Sequence, residues 1–239
     1  MARDRPHSLR RIYVPTIPAE GSALLDEDAR HHLEVLRLAP GTEIELFDGK
    51  GTVARATLEG STAHVLERSV RDEATIVLVL GLPKGSLTDE IVRMTTELGV
   101  SRLCLTRCER TVPKWDDSRG AKRLARWTRI AQQAARQSER AFVPAIEAPR
   151  PLHELIDNAP ADATRLFAWA RESSRAAVRV TSPCWIAVGP EGGFSDAERT
   201  HFENAGWLSI SLGPNVLRVD TAAAAAIALT HRSLESQKA

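Results

Sequence analysis

Trp185-Ile186-Ala187-Val188-Gly189-Pro190-Glu191-Gly192-Gly193-Phe194 opens as an unbroken apolar run and breaks into a turn that carries three glycines. An apolar run of this kind fits a strand buried on both faces, as in a parallel sheet. The turn leads into Ser195-Asp196-Ala197-Glu198, a Ser-x-x-Glu capping box that opens a helix. Glycine has no Cβ, so such a turn adopts positive φ and lets a ligand come close to the backbone. The spacing differs from Gly-x-Gly-x-x-Gly and no Walker lysine follows, so the dinucleotide and P-loop readings lose. Two readings stand: a tight strand-to-helix connection, for which one glycine would suffice, and a ligand-binding turn.

Downstream, Leu212-Gly213-Pro214-Asn215-Val216-Leu217-Arg218-Val219-Asp220-Thr221 again follows a buried strand and precedes a helix. That helix, Ala222–Leu229, is almost all alanine, which allows close backbone approach in a tight core or a dimer interface. Two glycine-bearing turns at the carboxyl ends of strands form the kind of cleft where open α/β sheets bind ligands. Upstream, Ile76–Gly81 is a continuous apolar run, and Leu87, Ile91, Met94 and Leu98 recur at helical spacing up to Gly99. Further buried strands are expected at Leu103–Thr106, Arg165–Ala170, Trp185–Gly189 and Leu208–Leu212. Strands alternating with helices imply an α/β domain with a mostly parallel sheet over residues 73–239.

Before residue 73 the pattern changes. Thr42–Phe47 and Thr52–Leu58 alternate with period two around Asp48-Gly49, a strong hairpin signal. Arg11–Val14 and His64–Glu67 add strands, and Glu27–Leu36 a short helix, so residues 1–72 read as a small β-barrel.

With 239 residues, 43% hydrophobic and 26% charged, the composition is that of a globular protein with ample core material. No apolar run approaches the roughly 20 residues of a membrane span, Met1–His7 lacks a leader's apolar stretch, and three cysteines suit a reducing cytoplasm. Net charge is only +1, yet residues 102–140 hold eleven Lys/Arg against four Asp/Glu, while residues 1–72 are near neutral. At 100° per residue, Lys122, Arg126, Arg129, Gln133, Arg136 and Arg140 fall within roughly 40° of one line. Leu124, Trp127, Ile130, Ala131 and Ala134 lie broadly opposite. The expectation is a helix with an apolar inner face and an outward arginine stripe. Its near lack of acidic partners favours RNA phosphate over a merely solvated face.

Gly189-Pro190-Glu191-Gly192-Gly193-Phe194-Ser195, with Leu212-Gly213-Pro214-x-x-Leu217-Arg218-x-x-Thr221-Ala222, resembles the signature of the RsmE family. These are bacterial 16S rRNA uracil-N3-methyltransferases of the SPOUT superfamily. The likeness spans nearly the whole chain: Arg11-Ile12-Tyr13 and Leu46–Gly49 resemble the family's PUA-like N-terminal domain, and Lys84 with Thr96–Val100 its first α/β unit. Cys108–Lys114 and Gln137–Pro144 resemble its central motifs. The chain has Val219-Asp220 where the family usually reads Thr-Glu, Arg136 where a glutamate is common, Arg93 where a lysine is common, and an unusual Ala168-Trp169-Ala170.

The resemblance implies a SPOUT domain with a deep trefoil knot behind a PUA-like barrel, a homodimer, and S-adenosylmethionine as cofactor. The implied substrate is one uridine of 16S rRNA in the small (30S) ribosomal subunit, and no metal or membrane is called for. Cofactor contacts fall on Gly189, Pro190, Glu191, Gly192, Gly193, Leu212, Gly213, Leu217, Arg218 and Thr221. Uracil N3–H must lose its proton, so a base or an anion-stabilising cation is needed. Arg140 and Arg218 are candidates for the cation; Glu191 is either the base or a brace for the turn. Arg10, Arg11, Arg110 and Lys114 join Lys122, Arg126, Arg129 and Arg136 as candidate RNA contacts, with Trp115 a possible stacking platform. Cys104 and Cys108, with a lone Cys184, do not make a zinc set, and His31-His32 reads as surface or structural. Three functions remain open: the N3-uridine enzyme, a SPOUT enzyme with another target such as a ribose 2′-hydroxyl, and a non-catalytic ribosome-assembly protein.

Overall fold

The computed structural model describes residues 9–170 and 179–236; Met1–His7, read above for a leader, lies outside them. The chain forms two compact units, residues 1–73 with 135–143, and residues 74–134 with 144–239.

In the first unit, β1 (Arg10–Tyr13), β2 (Ser22–Leu24), α1 (Glu27–Leu36), β3 (Glu43–Phe47), β4 (Thr52–Glu59) and β5 (Thr62–Val70) follow in order. The strands form one sheet in the order β1-β3-β4-β5-β2, with β1 parallel to β3 and the other neighbours antiparallel. The hairpin forms as its Asp-Gly turn demands, with Asp48 Oδ1 accepting the N–H groups of Lys50 at 2.7 Å and Thr52 at 3.0 Å. Period-two alternation puts Ile44 and Leu46 into the core with Ile12, Val14 and Leu58. Helix α1 starts at Asp26, whose carboxylate accepts the Ala29 N–H, and lays Ala29 and Leu33 on that core.

Residues 135–143 complete this unit. Ala135 and Ala141 pack with Phe47 and Val53, and the Gly51 N–H donates to the Ala141 carbonyl. Here the sequence expectations need two corrections. Arg11 is not a surface contact but 7% exposed. Its Nε donates to Glu45 Oε1 at 2.5 Å, and its Nη1 to the carbonyls of Ala135 at 3.0 Å and Arg140 at 3.2 Å. The guanidinium lies over the Phe47 ring, and burial pulls its pKa down against the opposing pull of Glu45. Arg140 does not continue the arginine stripe. The helix ends at Gln137 and Glu139 turns left-handed at φ 59°, which swings Arg140 inward to 8% exposure. Its Nε donates to Glu73 Oε2 at 2.8 Å and its Nη2 to Glu73 Oε1.

The second unit contains β6 (Ile76–Gly81), α2 (Leu87–Glu97), β7 (Arg102–Arg107), α3 (Asp117–Gln137, whose last turn belongs to the first unit) and β8 (Ala145–Pro151). It continues with α4 (Leu152–Asp157), β9 (Thr164–Ala168), β10 (Cys184–Val188), α5 (Asp196–Asn204), β11 (Leu208–Ile210) and α6 (Val219–Glu235). Six strands form an all-parallel sheet in the order β11-β9-β10-β6-β7-β8. Every residue of the adjacent strands β6 and β10 is buried, as their apolar runs predict. Helix α6 packs on α2, β6 and β10, while α4 packs on α5 and on β7 and β8. Val77, Val79, Phe167, Trp185, Phe194, Phe202 and Trp207 form one core cluster, in which Phe167 stacks on Phe202 at 4.7 Å. Strand β8 and helix α4 were not expected: β8 holds Pro149 and Pro151, which a sheet tolerates on an edge strand such as this one. Among the described residues, no helix is long and apolar enough to cross a membrane.

Removing Arg140 leaves the mostly buried Glu73 carboxylate without its counter-charge. Arg140→Ala is therefore expected to lower unfolding free energy by roughly 3 kcal/mol in urea denaturation. A change under about 0.5 kcal/mol would return Arg140 to the class of exposed surface pairs.

Candidate active site at the carboxyl edge of the sheet

Because β6, β9, β10 and β11 are parallel, the loops that leave their carboxyl ends emerge on one edge of the sheet. Strand β9 separates β10 from β11, so the Gly189–Phe194 turn and the Ser211–Arg218 turn flank it. The β6–β7–β8 half of the sheet builds outward on one side of the β10/β6 pair and β9 and β11 lie on the other, which makes that pair a topological switch point.

The first turn is held from several directions. Pro190 runs so close to the end of β6 that a Cβ on Gly81 would stand 2.4 Å from Pro190 Cδ. The Gly193 N–H donates to the Pro190 carbonyl at 2.8 Å, with Gly193 at φ +66°. Glu191 Oε1 accepts the Lys84 N–H at 2.9 Å, tying the turn to the loop after β6. Through this bond Glu191 braces the turn. The Ser195–Glu198 capping box forms as the sequence predicts, with Glu198 N–H to Ser195 Oγ at 3.2 Å and Ser195 N–H to Glu198 Oε2 at 2.8 Å. The other carboxylate oxygen of Glu198 accepts the Glu109 N–H at 2.7 Å, a long-range role with no local sequence signal. Arg110 is exposed, yet its Nη1 donates to the carbonyls of Gly192 and Phe194, each at 3.1 Å.

The second turn is more open. Ser211 Oγ accepts the Gly213 N–H at 3.3 Å, Gly213 and Thr221 are exposed, and Leu212 and Leu217 are half-buried. Arg218 is exposed at the N-cap of α6, its Nε 3.5 Å from Asp220 Oδ1. Val219 is 6% exposed and belongs to the core. Alanines 223 and 226 with Ile227 are buried where α6 meets the sheet and α2.

The candidate RNA-contacting cations divide. On α3, Lys122 and Arg129 are exposed, whereas Arg126 is held by Asp89, which also accepts the Trp127 indole N–H at 2.9 Å. Lys114 is exposed in the loop before α3. In the first unit, Arg10 and the half-buried Arg136 both act on His32: burial first, then Arg136 and Arg10, hold its imidazole below the usual range. Trp115 is half-buried, with Trp127 at 6.0 Å and the Arg123 guanidinium over its ring at 5.6 Å. Arg93 pairs with Glu90 and Glu97 along α2.

Comparison with known proteins defines the class first. A family model described as an RNA methyltransferase domain matches residues 71–231, and one described as an RNA methyltransferase PUA domain matches residues 25–65. The chain belongs to the ribosomal RNA small subunit methyltransferase E family. It is 34% identical to the Mycobacterium bovis protein of that name, over 90% of this chain and 88% of the relative. It is 33% identical to the Synechocystis protein, over 95% and 78%. The crystal structure of the Neisseria gonorrhoeae enzyme bound to S-adenosyl methionine superposes with a TM-score of 0.86 at 31% identity, covering 95% of this chain and 98% of that one. A putative methyltransferase from Legionella pneumophila, in complex with the bound cofactor SAM, gives 0.84 at 28% identity, over 94% and 98%.

The cysteines stand apart from this chemistry. Cys104, Cys108 and Cys184 are buried, and burial pushes each thiol up to about 12. Native protein at pH 8 is expected to show no thiol reactive toward a disulfide reagent, and all three are expected to react once it is unfolded. Fast labelling of the native protein would contradict their burial.

Proposed function

We propose that this protein is an S-adenosylmethionine-dependent methyltransferase of small-subunit ribosomal RNA, acting as a cytoplasmic homodimer on N3 of one uridine. The observation that carries this reading is the pair of turns at one edge of the sheet, in a chain that superposes along nearly its whole length on a relative bound to the cofactor.

The residues present suit the cofactor. Where a Cβ would stand on Gly193 or Gly213, nothing lies within 4 Å, so both turns offer bare backbone to a ligand. Gly189 to Gly193 would hold it from one side, and Leu212, Gly213, Leu217, Arg218 and Thr221 from the other. The bound cofactor supplies an electrophilic methyl group; the chain positions the two reactants and keeps water away. Uracil N3 lies on the Watson–Crick edge, so the target base must be unpaired or flipped out. Arg218, an exposed cation at the second turn, would stabilise the negative charge that grows on uracil as N3–H is lost. We assign Arg140, whose guanidinium pairs with Glu73, a structural role in place of a catalytic one.

RNA phosphates would meet Lys114, Lys122, Arg129, Arg10 and Arg136. The exposed Leu229 and the small residues of α6 support the dimer, and the packing of α6 on the central strands β6 and β10 supports a threaded last helix.

Nucleoside mass spectrometry of 16S rRNA from a deletion strain is expected to show loss of 3-methyluridine; its retention would refute the N3 assignment. Gly192→Val is expected to abolish calorimetric binding of S-adenosylmethionine with the circular dichroism spectrum unchanged, because a Cβ there stands 2.9 Å from Arg110 Cβ. Normal binding by that variant would move the site elsewhere.

A further inference from the structure

We infer that Arg110 is a positioning residue for the cofactor turn and not an RNA contact. This rests on the proposal that the turn after β10 binds S-adenosylmethionine. Arg110 follows β7 in a stretch dense in cations, which is why its sequence context points to phosphate. Its side chain is committed elsewhere. One terminal nitrogen, Nη1, donates to the carbonyls of Gly192 and Phe194, each at 3.1 Å. Both bonds are charge-assisted, and together they span the tightest part of the turn.

The opposite sides of the same peptide groups are also fixed. The peptide joining Gly192 to Gly193 gives its carbonyl to Arg110 and its N–H to the Pro190 carbonyl. The peptide joining Phe194 to Ser195 gives its carbonyl to Arg110 and its N–H to Glu198. Glu198 also takes the N–H of Glu109, the residue before Arg110, so the arginine's own backbone is anchored to the helix that the turn feeds. Gly192 completes the fit: only the missing side chain lets the Arg110 stem lie against the turn, since a Cβ there would be 2.9 Å from Arg110 Cβ. The result is a clamp that sets the orientation of two peptide groups before the cofactor arrives. A turn that binds its ligand through backbone groups depends on such orientation, because the ordering then need not occur on binding.

The two roles separate in the full-length protein with Arg110→Ala and Arg110→Lys. S-adenosylhomocysteine affinity is read by calorimetry, and affinity for a small-subunit RNA transcript across a salt series. The clamp predicts that both variants lose S-adenosylhomocysteine affinity by roughly tenfold or more, since the lysine ammonium sits on a shorter stem and does not reach the place that Nη1 takes between the two carbonyls. It also predicts unchanged RNA affinity and salt slope. Amide hydrogen exchange over residues 190–195 should quicken in the cofactor-free variants, a readout that needs no ligand. An RNA contact predicts the reverse: lower RNA affinity and a salt slope smaller by about one in Arg110→Ala, near-normal behaviour in Arg110→Lys, and cofactor affinity intact. That pattern, or unchanged exchange with unchanged S-adenosylhomocysteine binding, overturns the inference. If the wild type binds no S-adenosylhomocysteine, the cofactor reading of the turn fails first, and the positioning role falls with it.

Discussion

The close approach of Pro190 to Gly81 is the constraint on which the rest of the second unit depends. Two strands buried along their whole length, β6 and β10, lie side by side, and their carboxyl ends must leave the sheet at nearly the same place. A side chain at position 81 would collide with the proline ring and its backbone nitrogen. With glycine there, the turn after β10 lies against the end of β6, where Glu191 catches the backbone of Lys84. The switch point of the sheet thus becomes a fixed edge, and the bare backbone of Gly193 can face outward.

From that edge the other features follow. The turn enters α5 through a fully formed capping box, so its far end is fixed as firmly as its start. The segment after β7 reaches it through Glu109 and Arg110, which brings a third strand's loop to bear on the same few peptide groups. On the opposite face of the sheet, α6 begins directly after the second turn and packs across β6 and β10 with alanines where larger residues would hold it off. The buried Val219 anchors the start of that helix.

Local patterns made much of this legible. The runs Ile76–Gly81 and Trp185–Val188, the Asp-Gly hairpin and the Ser195–Glu198 cap declare themselves in neighbouring residues, since burial, turn chemistry and capping are short-range demands. What stayed hidden was long-range or weakly patterned. Strand β2 has three residues, and β8 carries prolines that mimic a loop. Arg140 fits the arginine stripe by angle, but only if the helix continues, and Glu139 breaks it. The partners of Arg11 and Arg140 lie 34 and 67 residues away in sequence, beyond the reach of any local pattern. At the site, the two turns were visible as candidates, but the bonds that brace them were not, because each joins separate loops.

A count of basic residues therefore overstates the surface offered to RNA. Of the cations between residues 102 and 140, Arg102 faces Glu147, Arg119 faces Asp116, Arg126 faces Asp89, and Arg140 is buried against Glu73. Arg123 lies over Trp115, and Arg110 is spent on two carbonyls. A paired cation releases little counter-ion when a phosphate arrives, since the phosphate must first compete with the carboxylate it already has. What is left for phosphate is a smaller set, Arg107, Lys114, Lys122 and Arg129 in the second unit and Arg136 with Arg10 in the first, on a chain whose net charge is only +1. Non-specific phosphate attraction from this stretch is therefore weaker than its eleven basic residues suggest.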